Sequence, residues 1–146
     1  QRRFNKIFTY NKIDFYDDYA HHPTEIKEVL QGINKVFNKY EKVCIFQPHR
    51  ISRLKDLKNE FSYAFKDADT VILCPIYAAG EKIKLGFSYE DFAKNIVKNS
   101  NVKLFMIENN QQLAKYCKQS MYGKKIVVGM GASSISNWIK ELPNLL

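Results

Sequence analysis

Apolar and polar positions along the chain switch repeatedly between strand-like runs and helical stripes. Ile13-Asp14-Phe15-Tyr16 predicts a short strand. From Pro23 to Tyr40, Ile26, Val29, Leu30, Ile33 and Phe37 fall three and four residues apart, the stripe of an amphipathic helix. The alternation repeats. Val43-Cys44-Ile45-Phe46 precedes a helix carrying Leu54, Leu57, Phe61 and Phe65. Val71-Ile72-Leu73-Cys74 precedes a longer loop and a helix with Phe92, Ile96 and Val97. Val102 to Ile107 leads into a helix from about Asn110 to Met121, and Ile126-Val127-Val128 leads into Ser133 to Leu142, with Pro143 as its stop.

Strand followed by helix, five times over, predicts an α/β Rossmann-like, doubly wound domain with helices on both faces. The central strands are continuous apolar runs, as parallel strands covered on both sides should be. Residues 1–12 read as a linker or edge strand from a preceding domain, and 13–146 as the domain itself. Phe4 to Tyr10 decides whether the mostly parallel sheet has five strands or six.

Composition narrows the class without choosing a function. The 146 residues are 45% hydrophobic and 26% charged, with 6 Gly and 4 Pro, enough for one packed domain and unlike a disordered or collagenous chain. No apolar run reaches membrane-helix length, and Gln1 to Lys6 has no signal-peptide character. Cys44, Cys74 and Cys117 are odd in number and lack Cys-x-x-Cys spacing, which fits a reducing cytoplasm. The net charge of +8 favours an anionic partner, yet the lysines are scattered rather than gathered on one element, so no nucleic-acid or membrane partner is expected.

In a doubly wound sheet, ligands bind beyond the carboxyl ends of the strands. All three histidines fall in loops at that edge: Asp17-Asp18-Tyr19-Ala20-His21-His22-Pro23-Thr24-Glu25 after the first strand and Gln47-Pro48-His49-Arg50-Ile51-Ser52-Arg53 after the second. Pro23 suits a helix's first turn, and Glu25 places a carboxylate where the helix dipole favours it. A zinc site from His21, His22 and His49 is disfavoured because adjacent histidines diverge and no His-Glu-x-x-His pattern exists, so no metal ligands are assigned. Arg50 and Arg53 stand one helical turn apart and can converge on a carboxylate or phosphate, or else be held in rim salt bridges by Asp17, Asp18 or Glu81. Gly129-x-Gly131-x-x-Ser134 is similar to a dinucleotide fingerprint without its third glycine, and close strand–helix packing explains it equally well. A Gly-x-x-x-x-Gly-Lys-Ser/Thr phosphate loop is absent from these residues.

Taken in order, Asp17 to Glu25, Phe46-Gln47-Pro48-His49-Arg50-x-x-Arg53, Tyr77-Ala78-Ala79-Gly80-Glu81 and Gly129-Met130-Gly131-Ala132 resemble the motifs of the C-terminal domain of the UDP-N-acetylmuramate:L-alanine ligases (MurC) of the Mur ligase family. Arg2-Arg3-Phe4 resembles the segment leaving that family's central domain. The resemblance implies a bacterial cytoplasmic enzyme of peptidoglycan synthesis, in which ATP and Mg2+ are held mainly by domains outside this chain. The partners implied are L-alanine and, through the full-length enzyme, UDP-N-acetylmuramate and ATP; the isolated domain is expected to be inactive. By position, Asp17 would reach the ATP ribose, and Tyr19, His21, His49, Arg50 and Arg53 would line the alanine pocket. A catalytic role for His21 in amine deprotonation is an expectation from chemistry alone, since imidazole titrates near neutral pH. Ala20 replaces a usual Gly, Ile51-Ser52 a common Tyr-Thr, and Ser133-Ser134 a Gly-Asp or Gly-Ser. The alternatives are the related ligase that attaches a recycled tripeptide, and a non-catalytic nucleotide- or nucleic-acid-binding Rossmann-like module.

Overall fold

The structure, a computed structural model, describes residues 3–77, 80 and 87–146. Six strands form one sheet: β1 (Asn5–Tyr10), β2 (Ile13–Asp18), β3 (Glu41–Phe46), β4 (Thr70–Leu73), β5 (Lys103–Met106) and β6 (Lys125–Met130). Their spatial order is β1-β2-β6-β3-β4-β5, with β1 antiparallel to β2 and every other pairing parallel. Within Phe4 to Tyr10, Asn5–Tyr10 thus adds the sixth, edge strand. Asn11 and Lys12 close the β1–β2 hairpin with φ of 51° and 66°, the left-handed pair that a tight two-residue turn needs.

Period-two alternation splits each central strand between two cores. Cys44 and Phe46 of β3 join Val71, Leu73, Ile126 and Val128 under α1 (Pro23–Val36), α2 (Ile51–Tyr63) and α3 (Tyr89–Ser100). Val43 and Ile45 point the other way, with Ile13, Phe15, Ile72 and Val127, onto α4 (Asn110–Ser120) and α5 (Ile135–Glu141). The sheet is therefore covered on both faces.

Several expected boundaries move: α2 ends at Tyr63, so that Phe65 packs into the core from beyond it, and β5 is Lys103–Met106 rather than Val102 to Ile107. α1 stops at Val36 rather than Tyr40: Phe37 leaves the helical region (φ −117°, ψ 41°), its ring packs edge-on against Tyr40, and the chain turns so that Glu41 can pair with Lys125. α5 begins at Ile135 rather than Ser133 and gives way to a 3-10 helix, Leu142–Leu145. Pro143 sits at the start of that helix, where its missing N–H costs nothing; it tightens the chain instead of stopping it.

The topology sets where a ligand can bind. After β3 the chain moves outward through β4 and β5, and then β6 returns to lie between β2 and β3. The reversal opens a crevice where the loops after β2, β3 and β6 meet.

Candidate active site

The loop after β2 is held by its own acids. Asp18 is buried, and its two oxygens accept from the backbone N–H groups of Phe4 and Ala20, each at 2.8 Å. Ala20 is buried with φ outside the positive range, so this loop does not need the glycine usual there. Asp17, 1% exposed, accepts a hydrogen bond from Ser136 Oγ of α5 at 2.9 Å.

His22 and Glu25 form a capping box. His22 Nδ1 accepts from Thr24 N, while Glu25 Oε1 accepts from His22 N at 3.0 Å and His21 N at 3.3 Å. Glu25 therefore does more than complement the helix dipole. Burial pushes its carboxyl up, but the His22 and His21 N–H groups and the charge of both rings outweigh this and hold it below the usual carboxylate range. His22 Nδ1 thus turns to the Thr24 N–H, while the His21 ring lies against Tyr19 and His49. Among the described residues, no group of three or more His, Cys, Asp and Glu is placed to hold a metal ion.

The loop after β3 is tied to its neighbours on both sides. Gln47, 4% exposed, donates from Nε2 to Ser134 Oγ at 2.8 Å and accepts Ile135 N–H at 2.9 Å through Oε1, which caps α5. Gly131 (φ 155°) lets the next loop pass close by: a Cβ there would lie 2.8 Å from Ile135 Cγ2 and 3.0 Å from the Gln47 carbonyl oxygen. At Gly129 a Cβ would meet Ile139 Cγ1 at 2.9 Å. The two glycines thus serve close packing of strand, loop and helix. On the other side, His49 bridges in parallel to Tyr77, with Tyr77 N–H donating to the Pro48 carbonyl and Arg50 N–H to the Tyr77 carbonyl, each at 2.8 Å.

These ties bring three of the expected pocket residues together. Tyr19 and His21 meet edge-on with ring centroids 5.0 Å apart, His21 and His49 lie 6.5 Å apart, and Tyr77 stacks on His49 at 5.5 Å. Arg50 and Arg53 open α2, which has no side-chain cap hydrogen bond. Among the described residues neither guanidinium is ion-paired; Asp17 and Asp18 are turned to Ser136 and to the backbone, and Glu81 lies outside the described residues with Arg2, Ala78 and Ala79. Ile51, 1% exposed, packs in the core and has no hydroxyl to offer. Sequence reasoning had no role for Gln47, Tyr77 or the second hydrogen bond of Glu25. The signals were present in an uncharged buried amide after a strand, an aromatic after the next, and an acid three residues beyond His22.

A cleft of about 210 Å³ lined by Arg3, Tyr19, Ala20, Glu25 and Glu28 adjoins the first loop. A wider one of about 590 Å³, lined by Tyr40, Lys42, Asp69 and Lys103 among others, lies at the amino ends of the strands, away from these loops.

The family described as "Mur ligase, glutamate ligase domain" matches residues 2–133. The chain belongs to the Mur ligase C-terminal domain family. Over its full 146 residues this Mur ligase domain is 68% identical to the UDP-N-acetylmuramate--L-alanine ligase of Pelagibacter ubique, of which it covers 32%. The crystal structure of UDP-N-acetylmuramate-alanine ligase MurC from Thermotoga maritima superposes with a TM-score of 0.74 at 27% identity, over 98% of this chain and 29% of that one. A murein peptide ligase from Psychrobacter arcticus gives 0.80 at 19% identity, over 99% and 30%, a likeness of fold alone. The Mur ligase domain thus spans about a third of the length of the relatives it matches. Among the described residues, none of its helices is long and apolar enough to cross a membrane.

Proposed function

We propose that the chain is the amino-acid-binding domain, residues 13–146 with 1–12 as the entering segment, of a bacterial cytoplasmic ligase that joins L-alanine to UDP-N-acetylmuramate using ATP. The observation that supports this reading is that the rings of Tyr19, His21 and His49 meet at one sheet edge, beside the start of α2 where Arg50 and Arg53 stand, in loops whose motifs resemble those of the alanine ligases. A free amino acid presents a carboxylate that two cations at an uncapped helix start can neutralise. Its amine must be deprotonated to attack an acyl phosphate, and His21 is placed in the same cluster.

ATP would phosphorylate the muramate carboxyl, and the alanine amine would then displace phosphate through a tetrahedral intermediate. For Asp17 to reach the ribose of ATP, its carboxylate must share or release Ser136. Mg2+, which is usually held by one or two carboxylates together with substrate phosphates, belongs in this reading mainly to the parts of the protein outside this chain.

The test is ligation by the full-length protein with ATP, Mg2+ and UDP-N-acetylmuramate, following alanine-dependent phosphate release. Alanine-dependent product is expected, and none from the 146-residue chain alone. Turnover only with a tripeptide as acceptor would favour the recycling ligase instead, and salt-dependent micromolar binding of random oligonucleotides would favour a nucleic-acid module.

A further inference from the structure

Glu25 touches more than the backbone it caps. Its Oε1 lies 3.6 Å from His21 Nδ1, and the same Nδ1 is 3.0 Å from the Tyr19 carbonyl oxygen. A carbonyl oxygen only accepts, so that contact is a hydrogen bond when Nδ1 carries the proton. In the neutral ring the lone pair then belongs to Nε2. A carboxylate beside Nδ1–H favours the same tautomer, and it neutralises the imidazolium once Nε2 takes up a proton.

We propose that Glu25 is a positioning residue that, with the Tyr19 carbonyl, holds His21 as the Nδ1–H tautomer, so that Nε2 is the proton-accepting atom of the alanine pocket. This rests on the ligase reading above. In the step it serves, the alanine ammonium gives one proton to Nε2, and the amine lone pair attacks the acyl-phosphate carbon. The C–O bond to phosphate breaks with its electron pair leaving on phosphate, the nitrogen gives its second proton to the departing phosphate or to solvent so that a neutral amide remains, and the imidazolium returns its proton to solvent. Nδ1–H stays on the Tyr19 carbonyl throughout. Among the described residues, Tyr19 on its own loop and His49 on the loop after β3 also meet the ring.

Two variants separate this role from the cap. Glu25→Gln keeps an oxygen for the two backbone N–H groups but removes the charge, whereas Glu25→Ala removes both. Long-range proton–nitrogen NMR correlation of the imidazoles in this chain, at a pH where they are neutral, reads the tautomer directly. Wild type and Glu25→Gln should show His21 as Nδ1–H, and Glu25→Ala should shift it toward Nε2–H. In the full-length ligase, Glu25→Gln should lower kcat at saturating alanine by about tenfold while KM for alanine stays within about twofold. An Nε2–H tautomer in wild type overturns the proposal, as does a Glu25→Gln enzyme with normal kcat or with only KM changed. If Glu25→Ala fails to fold, Glu25→Gln still decides. A wild-type full-length protein that forms no alanine product would count against the ligase reading, and the NMR result would still stand for or against the tautomer.

Discussion

Arg50 is the N-cap residue of α2 with φ 75° and ψ 130°, a conformation that side chains with a Cβ avoid. Its N–H is held by the Tyr77 carbonyl, so strain and placement come together. Such outliers persist where the surrounding structure over-determines them, often at functional sites. Replacing Arg50 by Ala keeps the strain and loses the guanidinium, and replacing it by Gly removes both. Arg50→Gly should therefore melt above Arg50→Ala, by about 1 kcal/mol of stability. Both should lose roughly 2 to 5 kcal/mol of transition-state stabilisation toward alanine in the full-length enzyme, as should Arg53→Ala, with ATP dependence little changed. Normal alanine kinetics in all three variants would remove the arginines from the pocket.

At the scale of elements, α5 depends on a residue that is not part of it. Gln47, just beyond β3, caps Ile135 and holds Ser134, so it links two loops of the crevice. Truncation in Gln47→Ala leaves the buried Ile135 N–H without that acceptor and should cost about 1 to 3 kcal/mol in urea unfolding. An unchanged midpoint would show that solvent or a neighbour replaces it. The strand–helix alternation was legible because each central strand is an apolar run and each helix carries one stripe. Helix ends were less so: Phe37 continues the stripe of α1 but serves it from outside the helix, and the start of α5 depends on Gln47, distant in sequence. The loops that meet at the crevice could be named from their motifs and from the carboxyl-end rule. Their arrangement could not, because the His49–Tyr77 pairing and the positive φ of Arg50 depend on contacts between loops about 30 residues apart.

For the molecule as a whole, burying both sheet faces encloses all three thiols. Cys44, Cys74 and Cys117 are each 0% exposed and unbridged. Burial pushes Cys74 and Cys117 up to about 12, and Cys44 higher still, with Cys74 and Asp18 adding to its burial. The folded chain thus holds protons that the unfolded chain releases near the ordinary thiol value of 9.0. Stability from this source is complete below that value and is lost as pH rises toward the folded value. A melting temperature that falls through this alkaline window is expected, with native alkylation by iodoacetamide no faster than global unfolding. Rapid modification of the folded chain at neutral pH would contradict the enclosure.

One carboxylate ties the chain's entry to the candidate pocket. Asp18 holds Phe4 with one oxygen and Ala20 with the other, so the strand by which the chain comes in and the loop that carries Tyr19 and His21 hang from a single side chain. A carboxylate with both oxygens committed resists rotation about its own axis and acts as a short, stiff crank. The position of Phe4 and that of the His21 loop are therefore set by the same side chain.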